Sequence, residues 1–198
     1  IGLFNAIALR FLDNYIAVSS NFRDMLINRK FNPLDIHVLY NGMDFSRSNV
    51  EYSRHNLIKK YNLDINDDDV IVGIAARLYP VKSIDTIIRA ARIVKDKNRK
   101  IKFLIGGDGE DRKKLELLTA SLDLTDTVYF LGWLEDPNEL MSSIDISVLT
   151  SISESFPYSI LEGAKFKKAT ISSNVGGIPD LIENGKNGYL FEPGDYKK

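Results

Sequence analysis

Two cations bracket one short stretch of the chain: Arg77 and Lys82 stand either side of Leu78-Tyr79-Pro80-Val81, after the apolar run Val70–Ala75 and before a helix-period segment starting near Ser83. A helix N-terminus at a strand-to-helix turn offers free N–H groups and the positive end of the macrodipole, so cations beside it suit a diphosphate. Lys82-Ser83 resembles the end of a phosphate-binding P-loop. Val81 rather than Gly precedes the Lys, however, and Ala76 stands where the first Gly belongs, so side-chain charge has to hold an anion in place of a backbone cradle. The alternative is a solvated Arg and Lys on a surface loop, the common fate of such residues.

Two carboxylates form the second constellation, Glu154 and Glu162 in Ser153-Glu154-Ser155-Phe156-Pro157-Tyr158-Ser159-Ile160-Leu161-Glu162. Ser155 suits a helix cap and Pro157 a first helical turn. With Ile160, Leu161 and Ala164 as the buried stripe, the carboxylates stand on the order of 10 Å apart along the helix. That is too wide for sharing a proton. It suits two acceptors for hydroxyls on an extended polyol, one on a sugar and one on a ribose. The bland reading is a dipole-favoured Glu154 and an exposed Glu162.

Three glycine turns accompany these residues. Gly106-Gly107-Asp108-Gly109-Glu110 fails the dinucleotide fingerprint because Arg112 occupies its last position; it reads as a tight turn with Asp108 or Glu110 near a helix start, or as a backbone contact to a ligand. Gly176-Gly177 either lets the backbone approach a ligand or simply precedes a Pro-started helix. After Gly132, the sole tryptophan, Trp133, either covers a base or packs.

The elements that must position these groups follow from periodicity. Strands are expected at Tyr15–Val18, Ile36–Tyr40, Val70–Ala75, Ile101–Ile105, Val128–Leu131, Ile146–Leu149, Ala169–Ser172 and Tyr189–Phe191. Helices are expected at Ser20–Arg29, Val50–Tyr61, Ser83–Lys95, Asp111–Leu122, Pro137–Ser142, Phe156–Lys167 and Ile178–Glu183. The βαβα order predicts an α/β fold, a doubly wound Rossmann-like parallel sheet over 70–198. Residues 45–69 read as a linker with one helix, and residues 1–44 as the trailing part of a preceding domain. Asp67–Asp69 lies before a strand, on the side where parallel sheets rarely bind ligands, so a metal site is not expected there. The start at Ile1 and the stop at Lys198 after a strand suggest a piece of something longer.

Composition narrows the chemistry. The 198 residues carry 26 Lys and Arg against 27 Asp and Glu, which argues against broad attraction to nucleic acid. With no Cys and only His37 and His55, disulfides, thiolate zinc sites, Cys nucleophiles and paired-His metal sites are excluded. Apolar stretches fall short of the roughly 20 residues of a spanning helix, so a cytoplasmic protein is expected.

Taken together, Gly73-Ile74-Ala75-Ala76-Arg77-Leu78 with Lys82, Gly106-Gly107-Asp108-Gly109 with Leu115, Phe130-Leu131-Gly132, the Glu154 to Glu162 pair and Val175-Gly176-Gly177-Ile178-Pro179 resemble the donor half of GT-B-fold retaining glycosyltransferases of family 4. Ala17-Val18-Ser19 and Asn41-Gly42-Met43-Asp44 resemble the end of that family's N-terminal domain and its linker entry. The resemblance implies that Arg77 and Lys82 bind the donor diphosphate, that Glu154 with the backbone of Ser155, Phe156 and Pro157 meets the sugar, and that Glu162 meets the ribose. It places the base near Gly132, Trp133 and Leu134, and puts Gly176 and Gly177 beside the donor. Ser83 and Ala76 depart from the family's usual glycines. The implied substrate is a nucleotide-diphosphate sugar, with no metal required, no cofactor and no nucleic acid partner. The implied acceptor is a glycan or lipid-linked glycan held through the N-terminal domain, as in polysaccharide biosynthesis, with peripheral membrane contact of the full-length protein. A hexosyltransferase-like enzyme is expected, the fragment alone being inactive. A non-catalytic sugar-nucleotide-binding module stands as the alternative.

Overall fold

The computed structural model describes residues 12–45 and 52–197. A small unit comes first: β1 (Tyr15–Ala17), α1 (Ser20–Asn28) and β2 (Ile36–Val38), the two strands pairing in parallel as a sheet of their own. Its core is Ala17, Leu26, Phe31 and Ile36. Ser19 caps α1, its hydroxyl accepting from the Phe22 amide at 3.2 Å.

The main body follows as α2 (Arg54–Lys60), β3 (Val70–Ala75), α3 (Ile84–Lys97), β4 (Ile101–Gly106), α4 (Arg112–Ser121), β5 (Val128–Gly132), α5 (Pro137–Ser143), β6 (Ile146–Leu149), α6 (Tyr158–Lys165), β7 (Ala169–Ser173) and β8 (Gly188–Phe191). The six strands from β3 to β8 form one sheet in the order β5-β4-β3-β6-β7-β8, every neighbouring pair parallel. This is the expected doubly wound fold. Its central strand is a continuous apolar run, as burial on both faces requires: Ile71, Val72, Gly73 and Ile74 are all buried.

Helix α3 covers one face, presenting Ile84, Ile87, Ile88 and Ala91 at helical spacing. On the other face Leu140 and Met141 of α5 pack with Leu57 of α2. The segment read as a linker is therefore part of the body. Leu57 is fully buried, and the Arg54 guanidinium grips both Asp145 oxygens, at 3.1 and 3.2 Å, and the Asp69 carbonyl. Asp69 receives the Asn66 amide at 2.8 Å and Asp68 pairs with Lys100, so the acidic run is occupied by turn and surface contacts.

Several expected elements differ. The expected helix at Val50–Tyr61 starts at Arg54, Val50 and Glu51 lying outside the described residues. Ile178–Glu183 is one turn of 3-10 helix at Ile178–Asp180, because the segment returns at once to pair with β8 through Asn184 and Gly188. The expected Phe156–Lys167 helix is shorter. Pro157 is its N-cap, and the chain turns left-handed at Lys167. Ala164, expected in the buried stripe, is exposed; Gly163 takes that place, where a Cβ would stand 3.3 Å from Ser147.

From β3 the chain winds outward through β4 to β5, then returns to lay β6 on the other side of β3 and winds outward again. The loops leaving the carboxyl ends of β3 and β6 thus part at the switch point, where open α/β sheets hold their ligands.

Candidate functional site

A cleft of about 740 Å³ lies at that switch point. One wall comes from the loop after β3. Pro80 starts a single 3-10 turn, Pro80–Lys82, and Ser83 then takes φ 45 and ψ 49, a left-handed N-cap for α3. The backbone on both sides is pinned. The Leu78 amide donates to the Asp108 carbonyl at 2.9 Å, the Thr150 hydroxyl to the Lys82 carbonyl at 2.8 Å, and the Ile152 amide to the Val81 carbonyl at 2.9 Å.

The facing wall is the loop after β6. Glu154 Oε1 accepts from Lys82 Nζ at 2.5 Å and from the Ser151 hydroxyl at 2.6 Å. Ser151 is in turn held through its carbonyl, which accepts from the Ser173 hydroxyl at 2.6 Å. The Lys82 and Glu154 side chains are 25% and 11% exposed, so the pair is well shielded. Arg77 also lines the cleft, exposed and without an ion pair to any described residue. The two predicted cations are thus in different states, one engaged and one open.

Helix α6 opens onto the cleft through Tyr158 and Ser159 with no side-chain cap, since Pro157 has none to offer. The expected cap, Ser155, is exposed and does not line the cleft. One turn into α6, Glu162 reaches the lining half-buried. Burial pushes its carboxyl above the ordinary glutamate value, the Asp136 charge adds to this, and Lys165 opposes it. Burial alone would raise Asp136 too, but hydrogen bonds from Tyr52 and Asn138 hold it below the usual carboxylate range.

Trp133, Leu134, Phe156 and Pro157 complete the lining among the predicted residues. Trp133 is 70% exposed, so it is available to a planar ligand rather than spent on packing. Gly132 lies behind, left-handed at φ 76 beside the Arg112 guanidinium. Gly176 and Gly177 are also outside the lining. They support the β6 loop from beneath, with Cβ positions that would fall 1.6 Å from the Glu154 carbonyl oxygen and 2.1 Å from that of Ser155. Their backbone approach is to protein.

Gly106, Gly107 and Asp108 of the first glycine turn line the cleft; sequence reasoning missed Tyr79, Val81 and Glu135, which also line it, and the hydroxyls of Thr150 and Ser151 that fix Lys82 and Glu154. Position at the end of a strand was the available signal for Thr150 and Ser151. A free cation, a shielded ion pair, an uncapped helix N-terminus, a half-buried carboxyl and an open indole make a site for an anion joined to a polyol and a flat ring.

Residues 56–198 match the family model described as glycosyl transferases group 1. The chain is 32% identical over 147 residues to the O-antigen biosynthesis glycosyltransferase WclY of Escherichia coli, an alignment covering 74% of this chain and 40% of that protein. It is also 32% identical over 162 residues to the N-acetyl-alpha-D-glucosaminyl L-malate synthase of Bacillus anthracis, covering 81% of this chain and 41% of the relative. Among solved structures, Anabaena Alr3699/HepE in complex with UDP-glucose superposes with a TM-score of 0.83 at 28% identity, over 96% of this chain and 52% of that one. The chain spans well under two thirds of the length of these relatives. The fold is that of the Rossmann-like C-terminal half of GT-B proteins, and the chain belongs to the glycosyl transferases group 1 family.

Proposed function

We propose that this chain is the donor-binding part of a retaining, family 4 glycosyltransferase that takes a nucleoside-diphosphate sugar and passes the sugar to a glycan or lipid-linked glycan in polysaccharide biosynthesis. The observation that carries the reading is the convergence of Arg77, Lys82 and Glu154 on one cleft at the sheet's switch point. Complexes of the Anabaena neighbour with UDP and with UDP-glucose support a uridine diphosphate sugar as the first candidate donor.

In this reading Arg77 meets the diphosphate at once, and Lys82 leaves Glu154 to join it. Glu154 is then free to accept from sugar hydroxyls, with the backbone of Ser155, Phe156 and Pro157 beside it. Glu162 takes the ribose, and Trp133 and Leu134 flank the base. Cleavage of the sugar–phosphate bond leaves an oxocarbenium-like sugar and a diphosphate with added negative charge. Two cations and the α6 N-terminus stabilise that leaving group without a divalent metal. Glu154 positions the sugar and forms no covalent bond. The acceptor wall belongs to the preceding domain, of which residues 1–44 are the trailing part, and the whole protein works in the cytoplasm at the membrane face.

Calorimetric titration of the chain with UDP, GDP, ADP and their glucose derivatives tests the reading. Binding of at least one nucleoside diphosphate, tightened by its sugar, is expected; no heat with any of them overturns it.

A further inference from the structure

Phe156 is the one large apolar side chain of the β6 loop that is buried, although its neighbours Ser153 and Ser155 are exposed. Its cover comes from far away in sequence. The Tyr40 ring stacks on it with centroids 5.2 Å apart and planes 29° from parallel. The next residue, Asn41, donates its side-chain amide to the Phe156 carbonyl at 3.4 Å. That carbonyl belongs to the peptide bond leading into Pro157, the N-cap of α6, so the contact bears on the helix that carries Glu162.

The same small unit reaches the loop by a second route. The Asp180 carboxylate accepts from the Ser20 amide at the start of α1 at 2.7 Å, and the Tyr40 hydroxyl meets the Ser20 hydroxyl at 3.0 Å. Between α1 and the loop lies Gly177, where a Cβ would stand 2.6 Å from that of Ser19 and 2.1 Å from the Ser155 carbonyl oxygen. The glycine turn is therefore a spacer with the N-terminal unit on one side and the Glu154–Ser155 backbone on the other. A loop clamped from both sides has fewer conformations to lose when a ligand arrives.

We propose that Tyr40 and Asn41 are positioning residues for the sugar end of the cleft. Through Phe156 they hold Glu154–Pro157 in the one arrangement that recognises the sugar of a sugar nucleotide, and so the seating of the N-terminal unit sets how well that sugar is read. This rests on the donor-binding reading above. Arg77 and Lys82 lie on the β3 loop, whose backbone is tied to Thr150 and Ile152, ahead of the clamped Glu154–Pro157, and Lys82 has left Glu154 in the proposed bound state, so the two binding functions separate.

The test measures affinities for UDP and UDP-glucose, or the nucleotide pair that the unaltered chain binds most tightly, in Tyr40→Ala, Tyr40→Phe and Asn41→Ala. In Tyr40→Ala and Asn41→Ala the preference for the sugar nucleotide over the bare diphosphate is expected to fall about fivefold or more, with diphosphate affinity kept within about twofold. Tyr40→Phe keeps the stack and is expected to restore the preference. A purely structural loss would weaken both ligands together and overturns the inference, as does a Tyr40→Ala chain that keeps the full preference. Where the alanine variant unfolds, Tyr40→Leu keeps apolar bulk without a ring face and is read by the same ratio. No binding by the unaltered chain to any donor overturns the donor reading itself; binding without the expected change in Tyr40 and Asn41 variants overturns only this proposal.

Discussion

Lys82 and Glu154, 72 residues apart in sequence, close on each other across the cleft at 2.5 Å. Arg77, five positions before Lys82, has no such partner among the described residues. The two cations therefore differ in what their removal exposes.

Arg77→Ala is expected to weaken nucleoside diphosphate binding by about tenfold or more, the loss of one charge-assisted bond, and to leave thermal stability nearly unchanged. Lys82→Ala should weaken binding similarly and also destabilise the chain by about 1–3 kcal/mol, because it strands a shielded carboxylate. Calorimetry paired with thermal melts separates the two. Unchanged affinity in both variants would remove the phosphate assignment.

The two glutamates should part by ligand. Glu162→Gln is expected to weaken the free nucleotide, whereas Glu154→Gln spares it and erases the gain from the attached sugar. Equal losses on both ligands from both variants would contradict this division.

Stability should depend on pH through Glu162. Its folded value is raised above the ordinary 4.5, so the folded state holds the proton more tightly than the unfolded chain does. The resulting stabilisation is fully present below pH 4.5 and is lost as pH rises through the elevated folded value. Glu162→Gln should therefore flatten that decline and melt higher than the parent at neutral pH. A variant that melts lower there, with the slope unchanged, would refute the assignment of the slope to Glu162.

Ser83 adopts a left-handed backbone that costs an ordinary residue about 1–2 kcal/mol. Ser83→Gly removes this strain but loses the hydroxyl contacts to Asp85 at 3.2 Å and Thr86 at 3.0 Å. A net gain of about 0.5–1 kcal/mol is expected, a rise of about 2–4 °C in melting temperature per kcal/mol for a chain of this size. A lower melting temperature would mean that the hydroxyl contacts outweigh the strain.

Donor binding should survive chelation, because side-chain cations and a helix N-terminus face the diphosphate in the proposed site. The measurement is a titration of the sugar nucleotide with and without excess chelator. About a tenfold loss on chelation would speak for a bound metal.

The sheet was legible because its strands are apolar runs flanked by amphipathic helices, and from Val70 to Leu149 the observed strands match the expected ones to within one residue at each end. Local pattern also singled out Arg77, Lys82, Glu154 and Phe156, which line the cleft from the loops after β3 and β6, but not Tyr79 or Val81 beside them. It could not show contacts formed by distant segments. Nothing near Lys82 announces Glu154 as its partner, and nothing near Tyr40 announces Phe156. Gly176 and Gly177 lie outside the cleft lining while Gly106 and Gly107 line it, and local pattern does not separate the two turns: a Gly that permits close backbone approach looks the same whether the approaching atom belongs to a ligand or to the Glu154 peptide. At Ile178 the apolar spacing suggested more helix than a segment that turns straight back into the sheet has room to form.

The stitching of the β3 loop to the β6 loop has a kinetic consequence. With the Lys82 and Val81 carbonyls both tied to the neighbouring loop, the proposed release of Glu154 by Lys82 is a swing of one side chain about a fixed backbone. Rotation of one side chain is faster than the opening of a loop. Nucleotide capture at this end of the cleft should then run without a gating delay, with single-exponential association whose rate rises linearly with ligand concentration and falls as added salt screens Arg77.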